Sequence, residues 1–111
     1  MNVTHEVKDG LGIARFSGRL DLFTANEAKQ QLLNQISTGQ RHLIVDLGGV
    51  TFVDSSGLGM LIGVLKAARL AGGNVCVARS NDQARLIMRL TGLDRVMQLY
   101  ATVEEAVADF K

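Results

Sequence analysis

The sequence predicts an α/β domain ordered β-β-α-β-α-β-α-β-α around a mixed, mostly parallel sheet. Short apolar runs alternate with stretches whose apolar residues recur every three or four positions. An Asp-Gly pair joins the first two runs, and glycine follows most of the helical stretches. Strands that alternate with helices are joined by right-handed crossovers and lie parallel, so the opening hairpin supplies the antiparallel edge. At 111 residues the chain is read as one domain, residues 1–111.

Asn2 to Lys8 alternates, with Val3, His5 and Val7 on one side, which predicts a half-buried strand. Asp9-Gly10 is a favoured hairpin pair, and Leu11 to Phe16 returns as the second strand. Thr24 and Glu27 have capping-box spacing at the head of a helix carrying Ala25, Ala28, Leu32 and Ile36; Thr38-Gly39 ends it. His42 to Leu47 suits a buried strand, and Gly48-Gly49 is expected to break it before Thr51-Phe52-Val53. A helix follows from about Ser56 to Ala71, with Leu58, Leu61, Ile62, Leu65 and Ala68 as its apolar stripe and Gly72-Gly73 behind it. Asn74 to Ala78 reads as another buried strand. Ser80 and Gln83 form a second capping box, opening a helix that Gly92 closes. Met97 to Tyr100 is a short last strand, and Thr102 with Glu105 caps the final helix.

Composition removes several functions. Twelve basic against 11 acidic residues leave a net charge of +1, and with no basic run or aromatic platform the chain is not expected to bind nucleic acid. The single cysteine, Cys76, excludes a disulfide framework and fits a reducing compartment. No signal segment is evident at the start, and Gly57 to Leu65 is too short to span a bilayer, so a cytoplasmic protein without membrane insertion is expected. His5 and His42 are too far apart in sequence to suggest a metal site, and the residues around Ser55 and Ser56 do not fit a hydrolase elbow. Gly57, Gly59 and Gly63 miss the dinucleotide fingerprint and fall inside a helix; close packing explains Gly59 and Gly63 better. No catalytic residue, cofactor or metal is assigned, and the protein is expected not to be an enzyme.

Asp54-Ser55-Ser56-Gly57-Leu58-Gly59 remains, where an extended segment enters a helix. Its serines read either as simple helix caps or as acceptors of a phosphate. The free N–H groups and dipole of a helix start stabilise added negative charge, whereas an approaching partner would meet it as a barrier.

In these residues the chain resembles the STAS family, specifically the bacterial anti-sigma-factor antagonists. The resemblance rests on Leu43-Ile44-Val45-Asp46-Leu47, on Val50 through Gly59, on Ser17-Gly18-Arg19-Leu20-Asp21 with Thr24, on Ala71-Gly72-Gly73, and on Leu90-Thr91-Gly92-Leu93. It implies helices packed largely on one face of the sheet, and a function in partner switching. The unphosphorylated antagonist would bind an anti-sigma factor that is also a serine kinase and free its client sigma factor. Phosphorylation would break the complex, and a metal-dependent serine phosphatase would reset it. Carried over by position, Ser55 is the phosphoacceptor, and Asp21, Asp54, Ser56, Gly57, Leu58 and Gly59 face the partner. Asp21 reads equally as a turn aspartate, and Asp54 either orients Ser55 or serves as an acidic helix start. Arg19 departs from the acidic or small residue common in the family. Leu22 and Phe23 make the following loop unusually apolar; they either contact the partner or staple onto the first helical turn. A constitutive STAS subunit of a membrane transporter is the alternative function, and a small-ligand binder at the strand ends is a further one.

Overall fold

The computed structural model describes residues 1–110. Five strands lie in sequence order, β1 (Asn2–Lys8), β2 (Leu11–Leu20), β3 (His42–Val53), β4 (Asn74–Ala78) and β5 (Leu99–Tyr100). β1 pairs antiparallel with β2, and every later pair is parallel, as the element order predicts. The helices are α1 (Ala25–Ser37), α2 (Ser55–Leu70), α3 (Asp82–Leu90) and α4 (Val103–Asp109), with one 3-10 turn at Leu93–Arg95.

Two apolar layers flank the sheet. Ala28 and Leu32 of α1, Leu61 and Val64 of α2, and Ala84 and Met88 of α3 pack on one face against Phe16, Val45 and Val77. On the other face α4 alone covers Leu11, Ile13, Ile44 and Cys76 with Val103, Ala106 and Phe110. Three of the four helices thus share a face. Alternate side chains of β3 serve the two layers, because successive residues of a strand point to opposite sides.

The hairpin forms as read, with Asp9 and Gly10 both at positive φ (53° and 79°), the geometry that matches strand twist. Its first strand is not half-buried, however. Val3 reaches the core, but Val7 stands in solvent at 59% exposure.

Gly48-Gly49 does not break β3. The strand runs on to Val53, and β2 lengthens with it as far as Leu20, paired with Val53. The glycines instead permit close approach. A Cβ on Gly49 would lie 2.8 Å from the Ser17 Cβ and 2.9 Å from the Phe16 carbonyl oxygen, where the β2–β3 register shifts. A Cβ on Gly48 would collide with the Arg79 guanidinium. That guanidinium is bound to Asp46, a buried carboxylate that also pairs with Arg15 at 3.3 Å.

Two capping boxes are corrected. The Thr24 hydroxyl makes no bond to the amides of α1; it donates to the Arg19 carbonyl at 2.6 Å and accepts from the Asp21 N–H at 3.0 Å. Ser80 is buried, and Asn81 caps α3 by accepting the Ala84 N–H at 2.8 Å. Thr102 does cap α4 through the Glu105 N–H. α2 ends in a Schellman motif, with Gly72 at φ +87° and the Gly73 N–H donating to the Ala68 carbonyl at 2.7 Å. β5 is limited to Leu99–Tyr100, since Met97 folds back through its N–H onto the Leu93 carbonyl.

Candidate functional site

The site grows from the junction of β3 and α2. The last β3 residue, Val53, lies opposite Leu20, and the Asp54 N–H donates to the Leu20 carbonyl at 3.2 Å. Asp54 stays extended (φ −109°, ψ −171°), and Ser55 begins the helix with no intervening loop. A helix start leaves its first amides without intrahelical acceptors. Asp54 meets two of them, its Oδ1 accepting from Ser56 N–H at 2.8 Å and Gly57 N–H at 3.0 Å. Its other oxygen, Oδ2, accepts from the Leu22 N–H at 3.2 Å. One carboxylate therefore holds together the start of α2 and the loop between β2 and α1.

That loop is organised by Asp21. The Asp21 carboxylate accepts from the Phe23 N–H at 3.0 Å and lies 3.4 Å from the Arg19 Nε. Desolvation pushes the Asp21 carboxyl up, but the hydrogen bonds from Phe23 and Arg19 and the Arg19 charge outweigh it and hold it below the usual range. Asp21 thus serves as a turn aspartate, and it sits on the same loop that Asp54 anchors. Arg19 lays its guanidinium over the Phe52 ring at 4.4 Å from the centroid.

The backbone bonds of this loop leave its two large apolar side chains outside. Leu22 is 70% and Phe23 89% exposed, so no staple onto α1 forms. Ser55 is exposed beside them, while Ser56 is half-buried and faces a shallow groove of about 260 Å³ between α1 and α2, lined by Leu22, Lys29 and Met60. A second groove of about 480 Å³ has Ser55 itself in its wall, together with Leu58, Gly59, Ile62, Leu93 and Val96.

The glycines of this turn differ in role. Gly57 is buried, and a Cβ there would lie 2.6 Å from the Leu20 carbonyl oxygen, so it is needed for α2 to reach the sheet. Leu58 is buried as well, at the floor of the larger groove. Gly59 has no neighbour within 4 Å of a Cβ and forms bare surface between the two grooves. Gly63 faces Lys29 of α1, where a Cβ would come within 2.9 Å of Cε. Close packing against backbone accounts for Gly57; Gly63 meets only the movable end of the Lys29 side chain, and Gly59 meets nothing.

The residues of the sequence motif thus assemble at one place, with Asp21 brought in from the β2–α1 loop. Two contributions were not anticipated. The 3-10 turn at Leu93–Arg95 supplies a groove wall, and Gln83 reaches Val53 from α3. Gln83 has the spacing of a capping-box partner, and its amide carries no other signal in the sequence. Among the described residues no group of three or more His, Cys, Asp or Glu side chains could hold a metal, and no helix is long and apolar enough to cross a membrane.

Similarity to known proteins covers the whole of this arrangement. Residues 2–106 match the model of the STAS domain. The chain is 30% identical over 114 residues to the anti-sigma F factor antagonist of Paenibacillus polymyxa, spanning 100% of this chain and 97% of the relative. It is 27% identical over 99 residues to the anti-sigma-B factor antagonist of Staphylococcus aureus, covering 89% and 92% of the two chains. The crystal structure of an anti-sigma factor antagonist from Mycobacterium paratuberculosis superposes with a TM-score of 0.89 at 28% identity, over 98% of this chain and 92% of the other. The sheet order, the helix that starts on a capping aspartate and the match over residues 2–106 lead to one conclusion: this chain belongs to the STAS domain family.

Proposed function

We propose that this protein is an anti-sigma-factor antagonist that works by partner switching, with Ser55 as its phosphoacceptor. The observation that carries the reading is an exposed serine at the first position of a helix, on the rim of an open groove, in a chain 30% identical over its full length to an anti-sigma F factor antagonist. The partner is an anti-sigma factor that is also a serine kinase, and a metal-dependent serine phosphatase restores the unmodified form, all in the cytoplasm.

The chemistry of the switch follows from the local geometry. The antagonist offers a hydroxyl, while ATP, magnesium and the catalytic base belong to the kinase. The folded state tolerates a phosphate on Ser55 because the helix start stabilises negative charge and the side chain already lies in solvent. The complex does not tolerate it. Two unit charges 4 Å apart at an effective dielectric of about 20 interact by about 4 kcal/mol, nearly three decades in binding constant. Charge placed on the rim of that groove therefore blocks an interface without unfolding the domain. Asp54 anchors both sides of that interface, and Leu22 and Phe23 extend it as apolar contacts. A constitutive transporter subunit has less support, since such an interface has no use for an exposed hydroxyl at its centre.

The test is reconstitution with an anti-sigma kinase and ATP, using wild type, Ser55→Ala and Ser55→Asp. Phosphate is expected on Ser55 of the wild type and absent from the alanine variant, with binding weakened by the aspartate. Undiminished phosphorylation of Ser55→Ala would overturn the assignment.

A further inference from the structure

β4 pairs with β3 only as far as Ala78 opposite Asp46, so the remainder of β3 has no strand on that side. Its other side stays paired with β2 up to Leu20 and Val53. Neighbouring residues of a strand direct their backbone groups to opposite sides. The Asp54 N–H points to the Leu20 carbonyl, and the N–H and C=O of Val53 face the unpaired side. Val53 is fully buried, so these groups need protein partners.

The start of α3 provides them. Gln83 Oε1 accepts from the Val53 N–H at 3.0 Å, and Gln83 Nε2 donates to the Val53 carbonyl at 2.7 Å. One side-chain amide thus supplies the acceptor and the donor that an adjacent strand would have offered. Upstream, Asn81 Nδ2 lies 3.3 Å from the carbonyls of Val50 and Thr51, so the edge is covered by two amide side chains in succession. Val53 is followed directly by Asp54 and then Ser55.

We infer that Gln83 is a positioning residue for Ser55: its amide replaces a missing strand and fixes the backbone from which the phosphoacceptor turn departs. The inference rests on the phosphoacceptor reading of Ser55. The backbone on either side of Ser55 is held from two directions, by Gln83 through Val53 and by Asp54 through the Ser56 and Gly57 amides of α2. In-line phosphoryl transfer demands accurate placement of the attacking oxygen. A loosened Val53 displaces that oxygen while leaving the surrounding surface in place.

The experiment compares wild type with Gln83→Met, which keeps length and helix propensity but neither hydrogen bond. Gln83→Glu, which keeps only an acceptor, serves as a second variant and replaces the first if that fails to fold. Amide exchange at Val53, Ser56 and Gly57 is measured by NMR, and Ser55 phosphorylation is followed by mass spectrometry with the reconstituted anti-sigma kinase and ATP. Gln83→Met is expected to speed exchange at these amides and to lower kcat for Ser55 by roughly tenfold or more, with KM little changed. Unchanged kcat below the melting temperature in both variants, whether or not Tm falls, would overturn the positioning role and leave the phosphoacceptor reading intact. Phosphate found on the wild type at a residue other than Ser55 would refute both.

Discussion

Replacing Asp54 by alanine tests how the site is built, and its cost can be worked from the bonds it removes. The carboxylate accepts two α2 amides through Oδ1 and the Leu22 N–H through Oδ2. Loss of an N-cap acceptor costs about 1 kcal/mol, and loss of a negative charge from a helix start adds about 0.5 kcal/mol. The Leu22 N–H is exposed and regains a water, so that bond contributes only about 0.5 kcal/mol net. The sum is about 2 kcal/mol, equivalent to a fall in Tm of roughly 10 °C for a domain of this size. Asp54→Asn separates acceptor from charge, since asparagine caps about as well as aspartate; it is expected to cost about 0.5 kcal/mol. Urea and thermal unfolding of the three proteins, followed by circular dichroism, measure both values. If asparagine proves as costly as alanine, the charge rather than the acceptor dominates, and the capping account is wrong.

Gly57 and Gly59 should respond oppositely to alanine. Gly57→Ala forces a methyl against the Leu20 carbonyl and costs about 1–3 kcal/mol, whereas Gly59→Ala meets nothing and gains up to about 1 kcal/mol from helix propensity; denaturant midpoints would decide between them. Leu22→Ser with Phe23→Ser should leave Tm within a few degrees, because both side chains are exposed, yet weaken kinase binding at least tenfold; titration calorimetry that finds unchanged affinity would remove them from the interface. Burial pushes the Cys76 thiol up to about 12 from 9.0, so the folded state keeps the thiol neutral after the unfolded chain has begun to ionise. Its contribution is fully present below pH 9.0 and is lost as pH rises towards about 12, and Cys76→Ala should flatten the alkaline fall in stability seen by urea titration.

Element order was legible because periodicity and turn chemistry agreed: Asp9-Gly10 formed the hairpin, Gly72 ended α2, and the alternation of elements implied parallel pairing. What misled was chemistry that a residue type shares among several roles. Thr24 has the spacing of a cap, but the Arg19 carbonyl, brought near by the loop, is the better partner for its hydroxyl. Gln83 has the spacing of a capping box, but the unpaired edge of β3 claims its amide. Gly48-Gly49 resembles a break because glycine weakens a strand; here the competing demand is space for Arg79 and for the β2–β3 bulge. In each case a contact distant in sequence overrode a local preference.

The same logic explains why the candidate site was half legible. Asp54, Ser55, Ser56 and Gly57 are contiguous, and a capping aspartate before a helix is a local event. The surface around them is not local. Phe23 reaches it because Asp54 Oδ2 holds the Leu22 N–H across 32 positions of sequence, and the larger groove exists because the turn at Leu93–Arg95 folds back beside α2. Ser55 therefore stands where three separate segments converge: the β2–α1 loop, the start of α2 and the turn after α3. A phosphate there would lie where all three meet. Under the proposed function, charge at this convergence acts on three segments with one modification, and the turn that carries it is braced by Asp54 on one side and Gln83 on the other.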